Sequence, residues 1–371
     1  MAWREHFMRW FGPGGLSGIT FGDWLHVLRE NHFAVNIPYL GRALAITASS
    51  LQNSFHRRRE EKQFGAVIAE AEIQPPLFVL GVWRSGTTHL HNLLACDDRF
   101  AYPNTYQTFF PNTFLVSETR DARNMQFFMP ATRPQDNVRL GVEQPQEDEF
   151  ALLSQKCLSF TASWIFPQRA EHYDRFLTFQ RATDDEVDRW KSGLLRFVRK
   201  LSYKYNRPLV LKSPAHMGRI RLLLELFPDA RFVLIHRNPY EVFVSTLHTA
   251  RKVLPLWALQ HYNFDDLHHH TLEKYQELTD AYFDQRALIP TGRLCEVAFA
   301  DLEREPIGTL RHIYAQLNLP PFSHAEPAMQ AHLESIAGYE KNKLAPIDLE
   351  LQTLIARHWR RSFAEWNYPT K

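Results

Sequence analysis

The segment Leu77-Phe78-Val79-Leu80-Gly81-Val82-Trp83-Arg84-Ser85-Gly86-Thr87-Thr88-His89-Leu90 constrains the fold more than any other. Its first four residues form a continuous apolar run without polar alternation, the pattern of a strand covered on both faces. Such a strand belongs in a parallel sheet, so the chain must leave its carboxyl end by a turn and cross back through a helix. Two glycines and a run of hydroxyls occupy that turn, where backbone N–H groups and the positive end of a helix dipole together make an anion site. Leu209-Val210-Leu211 before Lys212, and Arg231-Phe232-Val233-Leu234-Ile235 before His236, have the same character, and each precedes a helical stretch. Arg293 to Val297 is a weaker fourth strand. The expected fold is therefore α/β, a central parallel sheet flanked by helices with its ligand crevice at the carboxyl ends of the strands.

Composition narrows the function classes. With 43 basic and 41 acidic residues the formal charge is +2, so no bulk field recruits nucleic acid and any anion site is built locally. Cys96, Cys157 and Cys295 are odd in number, widely spaced and outside any CxxC pattern, which indicates neither a disulfide framework nor a zinc site. No metal is expected; His268-His269-His270 with Asp265 and Asp266 reads as a solvated helix start. A reducing compartment fits the cysteines, and with no apolar run of about 18 residues and no separate apolar core near the start, the expected location is cytoplasmic.

A helical pattern runs from Leu40 to about Ile73, with Arg57-Arg58-Arg59 and Glu60-Glu61-Lys62 read as a solvated face, and Pro75-Pro76 ends it. Residues 1–75 thus form a helical N-terminal extension and residues 76–371 the α/β domain. A mainly helical insertion at about 100–205, with helices over Gln146 to Phe160 and Asp184 to Tyr205, is the expected substrate-side lid. In the extension, Trp3, Phe7, Trp10 and Phe11 share one face of a short helix ending at Gly12-Pro13-Gly14-Gly15. That stripe packs on the protein's own body or, in a second reading, makes peripheral contact with a membrane or a lipidic substrate.

Set against the nucleotide triphosphatase loop G-x-x-x-x-G-K-[ST], the two glycines and Thr88 fall in register, but Thr87 stands at the lysine position. Arg84, earlier in the loop, supplies a guanidinium for bidentate contact with a phosphate or sulfuryl group. This residue set resembles the sulfotransferases that use 3′-phosphoadenosine-5′-phosphosulfate (PAPS), specifically the bacterial and tyrosylprotein-like branch with an R-S-G-T-T loop. The resemblance implies a P-loop-like sulfotransferase fold in which Arg84, Ser85, Gly86, Thr87 and Thr88 cradle the 5′-phosphosulfate. It also implies that Arg237 and Ser245, in the run from Phe232 through Arg237-Asn238-Pro239 to Ser245, hold the 3′-phosphate. Lys212-Ser213-Pro214-Ala215-His216, then Phe227-Pro228-Asp229-Ala230-Arg231-Phe232, match the same family. So does Val297-Ala298-Phe299-Ala300-Asp301-Leu302 through Pro306, with Phe299 in place of the family's tyrosine, and the whole likeness spans roughly Leu77 to Leu319. Tyr339-Glu340-Lys341-Asn342-Lys343 is either a late cationic contact to the nucleotide or a solvated tail.

The implied activity is transfer of the sulfuryl group from PAPS to a hydroxyl acceptor, in line and with a general base. Lys212, at the carboxyl end of a strand beside the loop, is the residue for the bridging oxygen, and Arg84 for the equatorial oxygens. The base is not fixed by the sequence. His216 ranks first, although cytosolic relatives place a histidine where Pro214 stands, and Glu147 and Glu149 in Glu143-Gln144-Pro145-Gln146-Glu147-Asp148-Glu149 follow. Other readings are a kinase-like P-loop enzyme, which should carry the loop lysine and bind magnesium, and a non-catalytic protein that binds PAPS or its product PAP. The 27 Phe and 9 Trp favour a small-molecule or lipid-like, partly apolar hydroxyl acceptor over a charged polysaccharide.

Overall fold

The computed structural model describes residue 12 and residues 14–133, 135–136, 138–155, 157–339 and 346–370; the aromatic stripe Trp3 to Phe11 and the Glu340 to Lys343 contact lie outside the described residues. The principal elements in chain order are α1 (Phe21–Glu30), α2 (Leu40–Glu70), β1 (Leu77–Leu80), α3 (Thr87–Leu94), α4 (Phe114–Phe128), α5 (Asp184–Tyr205), β2 (Val210–Lys212), β3 (Arg231–His236), α6 (Pro239–Trp257), α7 (Leu267–Gln285), β4 (Leu294–Ala298), α8 (Pro306–Gln316) and α9 (Phe322–Ser335). They gather into two compact units, one of residues 74–102, 207–249 and 265–371, the other of residues 1–73, 103–206 and 250–264.

The first unit holds the sheet. Four parallel strands lie in the order β2-β1-β3-β4, with Val79 opposite Lys212 and Val233, and Val233 opposite Cys295. All four apolar runs seen in the sequence are strands, and the α/β class with a central parallel sheet stands. Alternation sends Leu77, Val79, Val210, Val233, Ile235, Cys295 and Val297 to one face, where they pack with Leu90, Leu93 and Leu94 of α3, Leu310 and Ile313 of α8 and Met329 of α9. On the opposite face Phe78 stacks on Phe232 at 5.6 Å and meets Phe227 at 5.8 Å. Because the chain leaves β1 toward β2 on one side and later returns to pair β3 on the other, the connections diverge beside β1. Such a switch point, here at the carboxyl ends of β1 and β3, is where open α/β sheets bind their ligands.

The second unit is helical. α5 starts at a capping box in which Thr183 accepts from the Glu186 N–H and Glu186 reaches back. The expected helix over Gln146 to Phe160 is instead one turn, Glu149–Leu153, followed by a 3₁₀ turn at Phe160–Trp164. Cys157 in the left-handed region (φ 53°) breaks the α pattern. α2 turns a polar face inward. Arg42 donates to the Ala258 carbonyl at 2.7 Å, Asn53 to those of Ser17 and Ile19 at 2.7 and 3.0 Å, and buried Glu60 accepts the Leu115 N–H at 2.8 Å while pairing with buried Lys200. Burial lowers Lys200 to about 8 against the opposing pull of Glu60, and burial raises Glu60. Removing one partner leaves the other charge uncompensated, so Glu60→Ala should cost about 3–5 kcal/mol in urea unfolding, and the paired change Glu60→Leu with Lys200→Met much less.

Candidate active site

The loop after β1 is closed by its own backbone. Gly81 (φ +144°) passes so close to β3 that a Cβ there would lie 2.4 Å from the Ile235 carbonyl oxygen and 2.7 Å from Ser85 Oγ. Ser85 turns inward, its hydroxyl donating to the Val82 carbonyl at 2.8 Å. Arg84 (φ 69°) and Gly86 (φ +105°) take left-handed conformations, and Gly86 is the N-cap of α3 with no side chain to satisfy the first N–H groups. Those donors, at the positive end of a helix, suit an anion.

The second half of the site comes from the β3 end and α6. Arg84 Nε donates to Ser245 Oγ at 2.9 Å, joining residues 161 positions apart. The Arg237 guanidinium lies over the Phe299 ring, 4.6 Å from its centroid, with one nitrogen 3.5 Å from the Arg84 carbonyl. Glu241, one helical turn on, accepts from Arg237 Nε at 2.7 Å. Phe299, the first residue of the short helix Phe299–Arg304, also lies under the loop, since a Cβ on Gly86 would come within 2.3 Å of its ring. Two arginines, a buried serine and an uncapped helix N-terminus thus meet at the ends of β1 and β3.

Comparison with known proteins agrees with this arrangement. The sequence model of the sulfotransferase family matches residues 75–324. The omega-hydroxy-beta-dihydromenaquinone-9 sulfotransferase Stf3 of Mycobacterium bovis is 33% identical over 367 residues, covering 99% of this chain and 93% of its own, and the Mycobacterium tuberculosis protein of that name aligns equally. Among solved structures, sulfotransferase STF9 from Mycobacterium avium superposes with a TM-score of 0.72 at 20% identity, covering 95% of this chain and 93% of its own. STF1 from Mycobacterium tuberculosis gives 0.68 at 18%, with 91% of each chain covered. The chain belongs to the sulfotransferase family.

The remaining residues singled out in this sulfotransferase are distributed unequally. Lys212 ends β2, is buried, and by alternation projects to the same sheet face as Val210 and α3. His216, in the 3₁₀ turn Pro214–Gly218, is fully buried with its ring edge-on to Phe78 at 5.3 Å, on the opposite sheet face. Glu149, in the helical unit, is buried and accepts from Ser159 at 2.7 Å, while its neighbour Glu147 is half-buried.

Three contributors escaped the sequence reading. In the sequence Phe299 stands out only as a departure from a tyrosine, yet its ring supports both Gly86 and Arg237. His91 on α3 is wholly buried, and burial first, then the Lys212 charge, push it down to about 3. His236, just before Arg237, is stacked on Trp366 at 5.0 Å with Nδ1 2.8 Å from the Tyr368 hydroxyl, and burial lowers it to about 4. The C-terminal residues thereby brace the strand end that carries Arg237. Periodicity offered no signal for the histidines, because a buried neutral histidine looks like any polar residue in a helical or strand pattern.

Both histidines sit below their unfolded value of 6.5. The unfolded chain therefore binds more protons as pH falls below 6.5, and stability declines from there toward the folded values. From pH 7 to pH 5 each should remove about 2 kcal/mol, and His91→Gln should flatten the fall by that amount when urea midpoints are compared at the two pH values.

Proposed function

We propose that this sulfotransferase takes its sulfuryl group from PAPS and delivers it to the hydroxyl of a lipid-like, partly apolar acceptor. The Arg84–Ser245 hydrogen bond carries the reading, because it joins the two segments that the family likeness assigns to the two ends of the nucleotide. PAPS supplies the activated sulfuryl group. The N–H groups at Gly86, Thr87 and Thr88 and the guanidinium of Arg84 bind its 5′ end, and Ser245 with Arg237 the 3′-phosphate. Arg237 is available for that task, since its pair with half-exposed Glu241 is worth about 1 kcal/mol or less and a phosphate displaces it readily. The flat support of Phe299 holds the guanidinium in place meanwhile.

Lys212 is assigned to the leaving oxygen. It stands at the end of β2 beside β1, so its ammonium neutralises charge where the bond to sulfur breaks. Among the base candidates, His216 packs against Phe78 and Glu149 accepts from Ser159, while Glu147 is half-buried; substitution of each in turn identifies the group that takes the acceptor proton. The acceptor class is supported by the relative at 33% identity, named for a hydroxylated dihydromenaquinone, and by the aromatic content of this chain. The kinase-like alternative lacks the loop lysine, Thr87 standing in its place.

Calorimetric titration with PAP in the absence of magnesium should show tight binding, weakened about 10–100-fold by Arg84→Ala or Ser245→Ala. Preference for magnesium-ATP would overturn the assignment. With a hydroxylated isoprenoid quinol as acceptor, Lys212→Ala should lower kcat by about 10²–10³, and so should the glutamine variant of whichever of His216, Glu147 and Glu149 is the base.

A further inference from the structure

α2 is amphipathic the wrong way round for a helix whose outer face meets water. Its inward face carries Arg42, Ser50, Asn53, His56 and Glu60 beside Ile46 and Ile68, all buried. Its outward face carries the hydrocarbon. Ile37, just before the helix, is 83% exposed, Leu44 70%, Leu51 55% and Phe55 65%, with Leu40 and Ala48 also exposed between them. Positions 37, 40, 44, 48, 51 and 55 follow the i, i+3, i+7 rule and form one narrow stripe. From Asn31 to His56 the only charged residue is Arg42, and it points inward. Scattered exposed apolar residues need no explanation, but a continuous stripe opposite a buried polar face does.

The same face continues in cations. Arg58, Arg59 and Lys62 stand three, four and seven positions after Phe55, all exposed, and Arg58 and Arg59 have no ion-pair partner among the described residues. Exposed Glu61 faces away, paired with Arg196. Hydrocarbon followed by arginine and lysine on one face is complementary to an anionic lipid surface: acyl chains take the Leu and Phe side chains, phosphates the guanidinium groups. No helix among the described residues is long and apolar enough to cross a membrane, so α2 would lie in the interface plane.

We propose that the Ile37–Phe55 stripe with Arg58, Arg59 and Lys62 docks this enzyme on an anionic bilayer. The proposal draws on the lipid-like acceptor for its purpose, because an acceptor held in a membrane must be met at the bilayer surface. Its test does not depend on that acceptor. Sucrose-loaded vesicles of phosphatidylcholine alone, or with phosphatidylglycerol, are sedimented with the full chain, with neither acceptor nor PAPS present. The enzyme should sediment with the anionic vesicles and much less with the neutral ones. Leu44→Glu with Phe55→Glu should weaken sedimentation by about 100-fold, each lost side chain contributing about tenfold. Arg58→Glu with Arg59→Glu should abolish the preference for anionic lipid. All four positions are exposed, so an unchanged melting temperature and PAP affinity verify the fold.

Sedimentation unaffected by Leu44→Glu with Phe55→Glu would overturn the proposal. So would its absence, or light scattering showing a dimer that the same variant converts to monomer, since the stripe would then be covered by a second copy. The acceptor reading fails separately, if the enzyme sulfates only water-soluble hydroxyls while still binding vesicles.

Discussion

Everything at the site depends on how closely the chain returns past β3 as it leaves β1. Gly81 has no room for a side chain beneath the Ile235 carbonyl, and Gly86 none above the Phe299 ring. These approaches set the loop's path and start α3 without a side-chain cap. The cost is two glycines and an arginine in left-handed conformations, which persist only where the surroundings over-determine them. Here the surroundings are a fully buried strand on one side and the short helix that begins at Phe299 on the other.

Sheet order turns that loop into a site. With β1 flanked by β2 and β3, the ends of all three adjacent strands carry a cation or its neighbour: Arg84 after β1, Lys212 at the end of β2, Arg237 after β3. Like charges on neighbouring strand ends would ordinarily repel. Two of them are held by local contacts, Arg84 by Ser245 and Arg237 by Glu241 and Phe299. Burial keeps His91 neutral beside Lys212, so α3 adds dipole to the loop but no fourth charge.

The strands and the loop were legible because their signal is local. A four-residue apolar run between Pro75-Pro76 and Gly81 is too short for a helix and has the pattern of a buried strand, and the spacing of Arg84, Gly86 and Thr88 carries the loop's chemistry with it. Arg237 and Ser245 were legible only through the family likeness, as their meeting with Arg84 is a long-range event. What sequence could not show was the facing of side chains. Spacing after the strand lysine ranks His216 first as base, yet one step of strand alternation and a 3₁₀ turn put its ring behind the sheet against Phe78. The run Arg57 to Lys62 reads as a solvated face, which holds for Arg58, Arg59 and Lys62 but not for Glu60, whose burial with Arg42 only the structure reveals.

The absent loop lysine is the point at which fold and chemistry part. Thr87 is almost wholly buried, and its methyl group lies 3.0 Å from where a Gly81 Cβ would stand, so that position packs inward against the turn. A lysine in that conformation would bury an ammonium against backbone. The cation is supplied from outside the loop's curve instead, by Arg84, whose left-handed backbone turns the side chain toward α6 and Ser245. A triphosphate chain needs its cation at the helix start, between the β and γ groups. A nucleotide bearing phosphates on both sides of one ribose needs a cation that bridges the β1 loop and the helix after β3. The displacement of positive charge from position 87 to position 84 is what separates this loop from the triphosphatase loop.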